Sequence, residues 1–160
     1  MTELITARRV PVQKPGRSKQ DYATPRELID AVEARFRRLD WDLAASAENR
    51  KAAQFYSIAD DSLRQDWTKL TGNLWLNPPF ADIEPWAAKC AASTGPGRRI
   101  FLLTPASVGS NWFAEHVFDK ACVIALRPRM TFVGATDPYP KDLILSVFGR
   151  PAGFELWRWK

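Results

Sequence analysis

Asn73-Leu74-Trp75-Leu76-Asn77-Pro78-Pro79-Phe80 is an apolar run that passes without a break into an asparagine, two prolines and an aromatic residue. The run predicts a short strand over Asn73 to Leu76. The prolines end it, because neither can donate to a strand ladder and each fixes its own φ. Asn77 is thereby placed at the carboxyl end of a strand, the edge at which open α/β sheets bind ligands.

Working outward, further apolar runs bounded by turn or polar residues occur at Trp41 to Ala45, Gln54 to Tyr56, Ile100 to Leu103, Val123 to Leu126, Leu143 to Phe148 and Phe154 to Trp159. Helical stretches at Ile83 to Ala92 and Asn111 to Phe118 separate several of them. This alternation predicts an α/β sheet whose first strands are parallel. Only Gly149-Arg150-Pro151-Ala152-Gly153 lies between the last two runs, too little for a crossover helix, so these strands are expected to pair antiparallel and the sheet to be mixed. Upstream, Thr24 stands where it can cap a helix over Pro25 to Arg37, with Pro25 and Glu27 in its first turn and Leu28, Ile29, Val32 and Phe36 at helical spacing.

The chain has 160 residues, enough for one domain with a core but too few for a catalytic domain plus a large separate recognition domain. Residues 7–19 mix Arg8, Arg9, Lys14, Arg17 and Lys19 with Pro11, Pro15 and Gly16 and cannot build an apolar face. We therefore expect a flexible basic arm over residues 1–20 and a single domain over 21–160. The formal charge of +5 suits a phosphate backbone without identifying a partner. Cys90 and Cys122 have no spacing for zinc or a disulfide framework, so two buried thiols are expected. No segment has a signal-peptide core or the ~18 apolar residues of a membrane span, so a soluble, cytoplasmic protein is expected.

The four residues after the strand suit one chemical problem. The exocyclic N6 amine of adenine is a poor nucleophile because its lone pair is delocalised into the ring. Two acceptors holding its hydrogens favour the pyramidal geometry that frees the pair. The amide oxygen of Asn77 can be one acceptor and the Pro78 carbonyl the other, aimed in advance by the rigidity of Pro78 and Pro79. Phe80 offers a face on which a base can stack. A base within a duplex would have to be flipped out to reach such a site. A rigid turn with an inward-packed aromatic would produce the same four residues, so the motif needs support from elsewhere in the chain.

That support comes from a series of elements in order: Thr24-Pro25, Asp42-Leu43-Ala44-Ala45, Asp66-Trp67, Asn77-Pro78-Pro79-Phe80, Thr104-Pro105-Ala106, Trp112-Phe113 and Pro138-Tyr139-Pro140 before Leu143. From about Ala23 to Phe148 the chain resembles the small phage-encoded DNA N6-adenine methyltransferases, the Dam-like family of phages and prophages. The resemblance implies a compact Rossmann-like methyltransferase fold, S-adenosylmethionine as cofactor, DNA as partner, and the cytoplasm of a bacterial host cell as the place of action. It also implies residue roles. Asn77, Pro78, Pro79 and Phe80 would form the catalytic motif. Asp42, Ala44 and Ala45 would lie near the methionine portion of the cofactor, and Asp60 or Asp61, with Asp61 preferred, would accept from its ribose hydroxyls. Asp66 and Trp67 would hold its adenine, while Thr24 and Pro25 belong to an N-terminal element that closes over it. Apart from the resemblance, Arg127, Arg129 and Lys141 lie in loops after the late strands beside Met130, Phe132 and Tyr139, a basic and aromatic set suited to contacting phosphates or flipped-out bases.

Two departures stand out: Phe80 occupies a position where many relatives have tyrosine, and the Asp42 segment lacks the glycine-rich turn of larger methyltransferases. No metal is expected, and His116 is expected to be an ordinary helix residue. Monomer and homodimer both remain open. The same motif also serves enzymes acting on RNA adenine or on a protein glutamine amide, and a catalytically inactive nucleic-acid-binding module of this fold would carry it too.

Overall fold

The computed structural model describes residues 22–160, so the arm expected over residues 1–20 lies outside the described residues. Helix α1 (Arg26–Phe36) leads into strands β1 (Trp41–Asp42) and β2 (Gln54–Phe55), followed by three single 3-10 turns and β3 (Gly72–Leu76). Then come α2 (Glu84–Ala92), β4 (Arg98–Pro105), α3 (Asn111–His116), β5 (Cys122–Arg127), β6 (Leu143–Phe148) and β7 (Gly153–Arg158). The strands form one sheet in the order β2-β1-β3-β4-β6-β5-β7. Strands β2, β1, β3 and β4 are parallel to one another, as expected for a Rossmann-like α/β fold. The chain steps outward from β1 to β2 and back across to β3, so the order reverses between β1 and β3. Ligands bind at such a reversal, beyond the carboxyl ends of the strands.

Both faces of the sheet are covered, which explains why β4 reads as a continuous apolar run rather than an alternating one. Phe101 and Leu103 pack with Trp75 against the Leu28, Ile29, Val32 and Phe36 side of α1. Ile100 and Leu102 pack on the other face with Leu74, Leu76, Ala87 and Cys90 of α2 and Phe113 of α3. Cys90 and Cys122 are free, buried thiols, and burial raises the pKa of each.

The last two strands correct one expectation. β6 and β7 do run in opposite directions, but they do not pair: β5 lies between them, antiparallel to β6 and parallel to β7. Every residue of β6 is buried, so this strand gains most from a neighbour on each side, and it pairs with both β4 and β5. β7 is more exposed and takes the edge. The link across the end of β5 must cover two strand spacings, ~10 Å, which the four residues 149–152 at ~3.3 Å each can do. Gly149 begins that link with φ +94°, and a Cβ there would lie 2.5 Å from the Arg98 carbonyl oxygen. Gly149→Ala is therefore expected to destabilise the fold by ~1–3 kcal/mol in chemical denaturation. An unchanged midpoint would mean that the turn relaxes freely.

A second correction concerns the start of α1. Pro25 is the residue before the first turn, no side chain caps the helix, and the Leu28 and Ile29 N–H groups donate to the Pro25 carbonyl. Thr24 is not the cap because its hydroxyl is engaged elsewhere, by Asn77. Nor does Glu27 close a capping box; its carboxylate accepts from Lys160 Nζ at 2.9 Å.

Candidate active site

A cavity of about 610 Å³ opens where the strand order reverses, at the carboxyl ends of β1 and β3. Its volume lies within the ~300–1,000 Å³ typical of small-molecule sites. The chain from Asp42 to Lys51 forms much of one wall, the segment from Tyr56 to Leu63 another, and Tyr22, Ala23, Thr24, Trp75, Asn77, Pro79 and Trp86 complete it.

Asp42 organises the first wall. Its carboxylate is 3% exposed and accepts from the Ala44 N–H at 3.3 Å and the Lys51 N–H at 2.9 Å, so one side chain pins both ends of the loop. Burial pushes its pKa up from 3.8 to about 6, against the lowering effect of those two N–H groups and of the Lys51 charge. Within the loop, Ser46 and Asn49 bond reciprocally through backbone N–H and side-chain oxygen. The second wall is fastened to the first, since the Tyr56 N–H donates to the Asp42 carbonyl and the Ala45 N–H to the Tyr56 carbonyl. These bonds hold Ala44 and Ala45 at the cavity surface.

The structure separates Asp60 from Asp61. Asp60 accepts from the Ser57 N–H at 2.7 Å and hydroxyl at 2.8 Å, which hold its pKa below the usual value, and it does not line the cavity. Asp61, in the left-handed region at φ 50°, does line it.

Asn77 sits at the junction of two environments. Its Nδ2 donates to the Tyr22 carbonyl at 2.6 Å and to the Thr24 hydroxyl at 3.1 Å. A carbonyl oxygen can only accept, so the amide nitrogen must face Tyr22 and Oδ1 is the atom left for a ligand. Pro79 shares the cavity wall with Asn77, whereas Pro78 is buried and Phe80 turns away from the cavity. The Phe80 ring lies 6.1 Å from Tyr22, 6.2 Å from Phe132 and 5.9 Å from Tyr139, centroid to centroid. The motif thus presents its amide on one side and its aromatic ring on the other.

Asp66 and Trp67, expected to hold the cofactor's adenine, lie away from this cavity, and neither lines it. Asp66 is exposed and caps a 3-10 turn, accepting from the Thr68 N–H at 3.0 Å and hydroxyl at 2.5 Å, and these bonds lower its pKa. Trp67 is fully buried, donates its indole N–H to the Ser62 carbonyl at 3.1 Å, and stacks on Trp86, which does reach the cavity. Pro25 also lies outside the cavity lining.

The basic loop is divided as well. Arg127, Arg129 and Lys141 are exposed at the carboxyl edge of β5 and the entry to β6, on the same sheet edge as Asn77. Arg129 is tied to Asp142 at 2.9 Å and to the Pro140 carbonyl at 3.2 Å. Met130 and Phe132 are buried in the α1-side core, so they hold the loop down instead of meeting a base. His116 has partners that its sequence neighbourhood hides in part: Glu84 at 3.9 Å and Glu115 at 3.8 Å, outside the cavity lining.

Several lining residues escaped the sequence reading: Tyr22, Glu48, Lys51, Ile58, Leu63 and Trp86. Ile58 carried a signal of a kind, as an isoleucine in the polar stretch Ser57 to Asp61, and it is 97% exposed.

Comparison with known proteins identifies the family. The sequence profile of the family described as DNA N-6-adenine-methyltransferase (Dam) matches residues 12–142. The DNA N-6-adenine-methyltransferase of Escherichia phage T1 is 32% identical over 117 residues, covering 73% of this chain and 49% of the relative. The chain thus spans about half the length of that phage protein. YfdM of Escherichia coli (strain K12) is 26% identical over 87 residues, covering 52% of this chain and 91% of that one. Among solved structures, Atu636 of Agrobacterium tumefaciens, described as a predicted O-methyltransferase, matches 81% of this chain and 83% of its own, at 16% identity and a TM-score of 0.43. With the profile covering most of its length, this chain belongs to the Dam family of DNA N-6-adenine-methyltransferases.

Proposed function

We propose that the chain transfers a methyl group from S-adenosylmethionine to the N6 amine of adenine in DNA, in the cytoplasm of a bacterial cell, with residues 21–160 acting as one methyltransferase domain. The observation that carries this reading is the fixed orientation of Asn77, which leaves an amide oxygen as acceptor between the cavity and an aromatic surface. Family membership and the DNA N-6-adenine-methyltransferase name of the phage T1 relative support it.

The cavity suits this cofactor by its donor set. Glu48 is an exposed acceptor for an ammonium group, and the half-buried Lys51 is a cation for a carboxylate. Asp61, which lines the cavity, would accept from ribose hydroxyls, and the almost wholly exposed Ile58, with Leu63 and Trp86, offers apolar surface for a base. When bound, S-adenosylmethionine supplies a methyl group already activated on a sulfonium sulfur, so the protein needs neither a nucleophile of its own nor a strong base. Asn77 Oδ1 accepts one N6 hydrogen of the target adenine and the Pro78 carbonyl the other, bringing the nitrogen lone pair toward the cavity. Phe80 gives the base a stacking partner on the side away from the cavity, with Tyr22 and Tyr139 around it. Arg127, Arg129 and Lys141 contact phosphates at that same edge.

Label transfer from methyl-tritiated cofactor to DNA, RNA and protein in parallel tests the substrate class. Label in DNA alone is expected, and label confined to RNA or protein would overturn the reading. Cofactor binding without transfer to any of the three would favour an inactive binding module. Because Asp66 faces Thr68 and not the cavity, Asp66→Ala is expected to leave cofactor affinity by calorimetry within roughly 2-fold of the original, as for an ordinary surface change. A large loss would place the adenine pocket nearer the third 3-10 turn.

A further inference from the structure

We propose that Thr24 is a positioning residue for Asn77, and that with the Tyr22 carbonyl it makes asparagine, not aspartate, the residue required at position 77. The proposal rests on the N6 reading above, because it concerns which atom of Asn77 meets the amine. Thr24 is 1% exposed, caps no helix, and its hydroxyl accepts from Asn77 Nδ2 at 3.1 Å. The Tyr22 carbonyl takes the same nitrogen at 2.6 Å. An amide swaps its two ends by a half turn about one bond. The Tyr22 carbonyl can only accept and so selects the orientation, while the Thr24 hydroxyl, oriented as an acceptor, holds the same nitrogen from a second side.

The clamp is itself fixed from behind. The Val133 N–H donates to the Ala23 carbonyl at 3.0 Å, and the Tyr22 ring packs 5.1 Å from Phe132. Residues 22–24 therefore cannot simply follow a reoriented side chain. Aspartate at position 77 would set a carboxylate oxygen against the Tyr22 carbonyl oxygen, two acceptors with no hydrogen between them. Although a carboxylate is the stronger acceptor for an amine, it would be turned out of line.

The test combines single-turnover methyl transfer, cofactor calorimetry and hydrogen exchange of side-chain amides by NMR. In the unmodified protein the Asn77 amide protons are expected to exchange at least ~10-fold more slowly than those of the exposed Asn111, a protection of the size one or two hydrogen bonds confer. Thr24→Val, which keeps shape and loses the acceptor, is expected to speed that exchange and slow transfer by roughly 10-fold, with cofactor affinity little changed. Thr24→Ser should restore both, and Asn77→Asp should transfer no methyl group. Exchange of Asn77 at the Asn111 rate would overturn the proposal without any variant. So would unaltered exchange in Thr24→Val, an active Asn77→Asp, or equal losses of rate and cofactor affinity in Thr24→Val, which would make Thr24 a cofactor contact. Protected, Thr24-dependent Asn77 protons in a protein that leaves DNA adenine unlabelled would instead refute the N6 reading and leave the clamp standing.

Discussion

Asn77→Ala is expected to lower methyl-transfer turnover by at least ~100-fold while cofactor affinity stays near its original value, by analogy with loss of one preorganised polar contact to a transition state. The split follows from what the substitution removes. Alanine keeps the backbone between β3 and Pro78 and takes away only the amide, whose nitrogen is spent on Tyr22 and Thr24 and whose oxygen is the acceptor offered to the base. An acceptor that acts on the amine as it becomes pyramidal contributes to the reacting state and hardly at all to cofactor binding. Rapid-quench single turnovers and calorimetry on the same preparation separate the two quantities. Unchanged turnover would remove Asn77 from the chemistry, and a parallel loss of cofactor affinity would mean that the variant has disturbed the cavity wall.

Asp42→Ala is expected to weaken cofactor binding by roughly 10- to 100-fold, the scale of one to two hydrogen bonds to a charged acceptor. Asp42 need not touch the cofactor to have this effect. Its carboxylate joins the Ala44 and Lys51 N–H groups, and without it the loop that forms one wall loses both anchors. Calorimetry checks the affinity, and an unchanged value would show that the Ser46–Asn49 turn and the Ala45–Tyr56 bond hold the wall without the carboxylate.

The same residue gives a pH signature. Its folded pKa of about 6 lies above the ordinary 3.8, so the native state holds the proton more tightly than the unfolded chain does. The associated stability is complete below pH ~4 and is lost as pH rises through about 6. A shift from 3.8 to about 6 corresponds to about 3 kcal/mol. Relative to Asp42→Asn, which does not titrate, the original protein should therefore become less stable by that order between pH 4 and pH 8 in denaturant titrations. Parallel pH profiles would assign the titration to another group.

The parts of this account legible in the sequence are those dictated by local chemistry. An apolar run stopped by two prolines can hardly be anything but a strand end, and Asn77 is found there. The spacing of Leu28, Ile29, Val32 and Phe36 likewise names the buried face of α1. Distant partners were not legible. Thr24 followed by Pro25 carries the residue types of a helix cap, and nothing nearby in the chain reveals that Asn77, 53 residues on, claims the hydroxyl. Asp66 before Trp67 has the composition of a ligand pair, yet the aspartate satisfies a local turn and the tryptophan backs Trp86 from inside the core. A five-residue link read as a hairpin because spacing alone cannot say that β5 slides between the two strands it joins.

Nucleoside mass spectrometry of DNA incubated with the protein and S-adenosylmethionine reads which base is methylated and whether Asn77 is needed for it. N6-methyldeoxyadenosine is the expected new nucleoside, abundant with the original protein and almost absent with Asn77→Ala. Methylation found only on cytosine, or N6-methyldeoxyadenosine formed equally well without the Asn77 amide, would contradict the proposed mechanism.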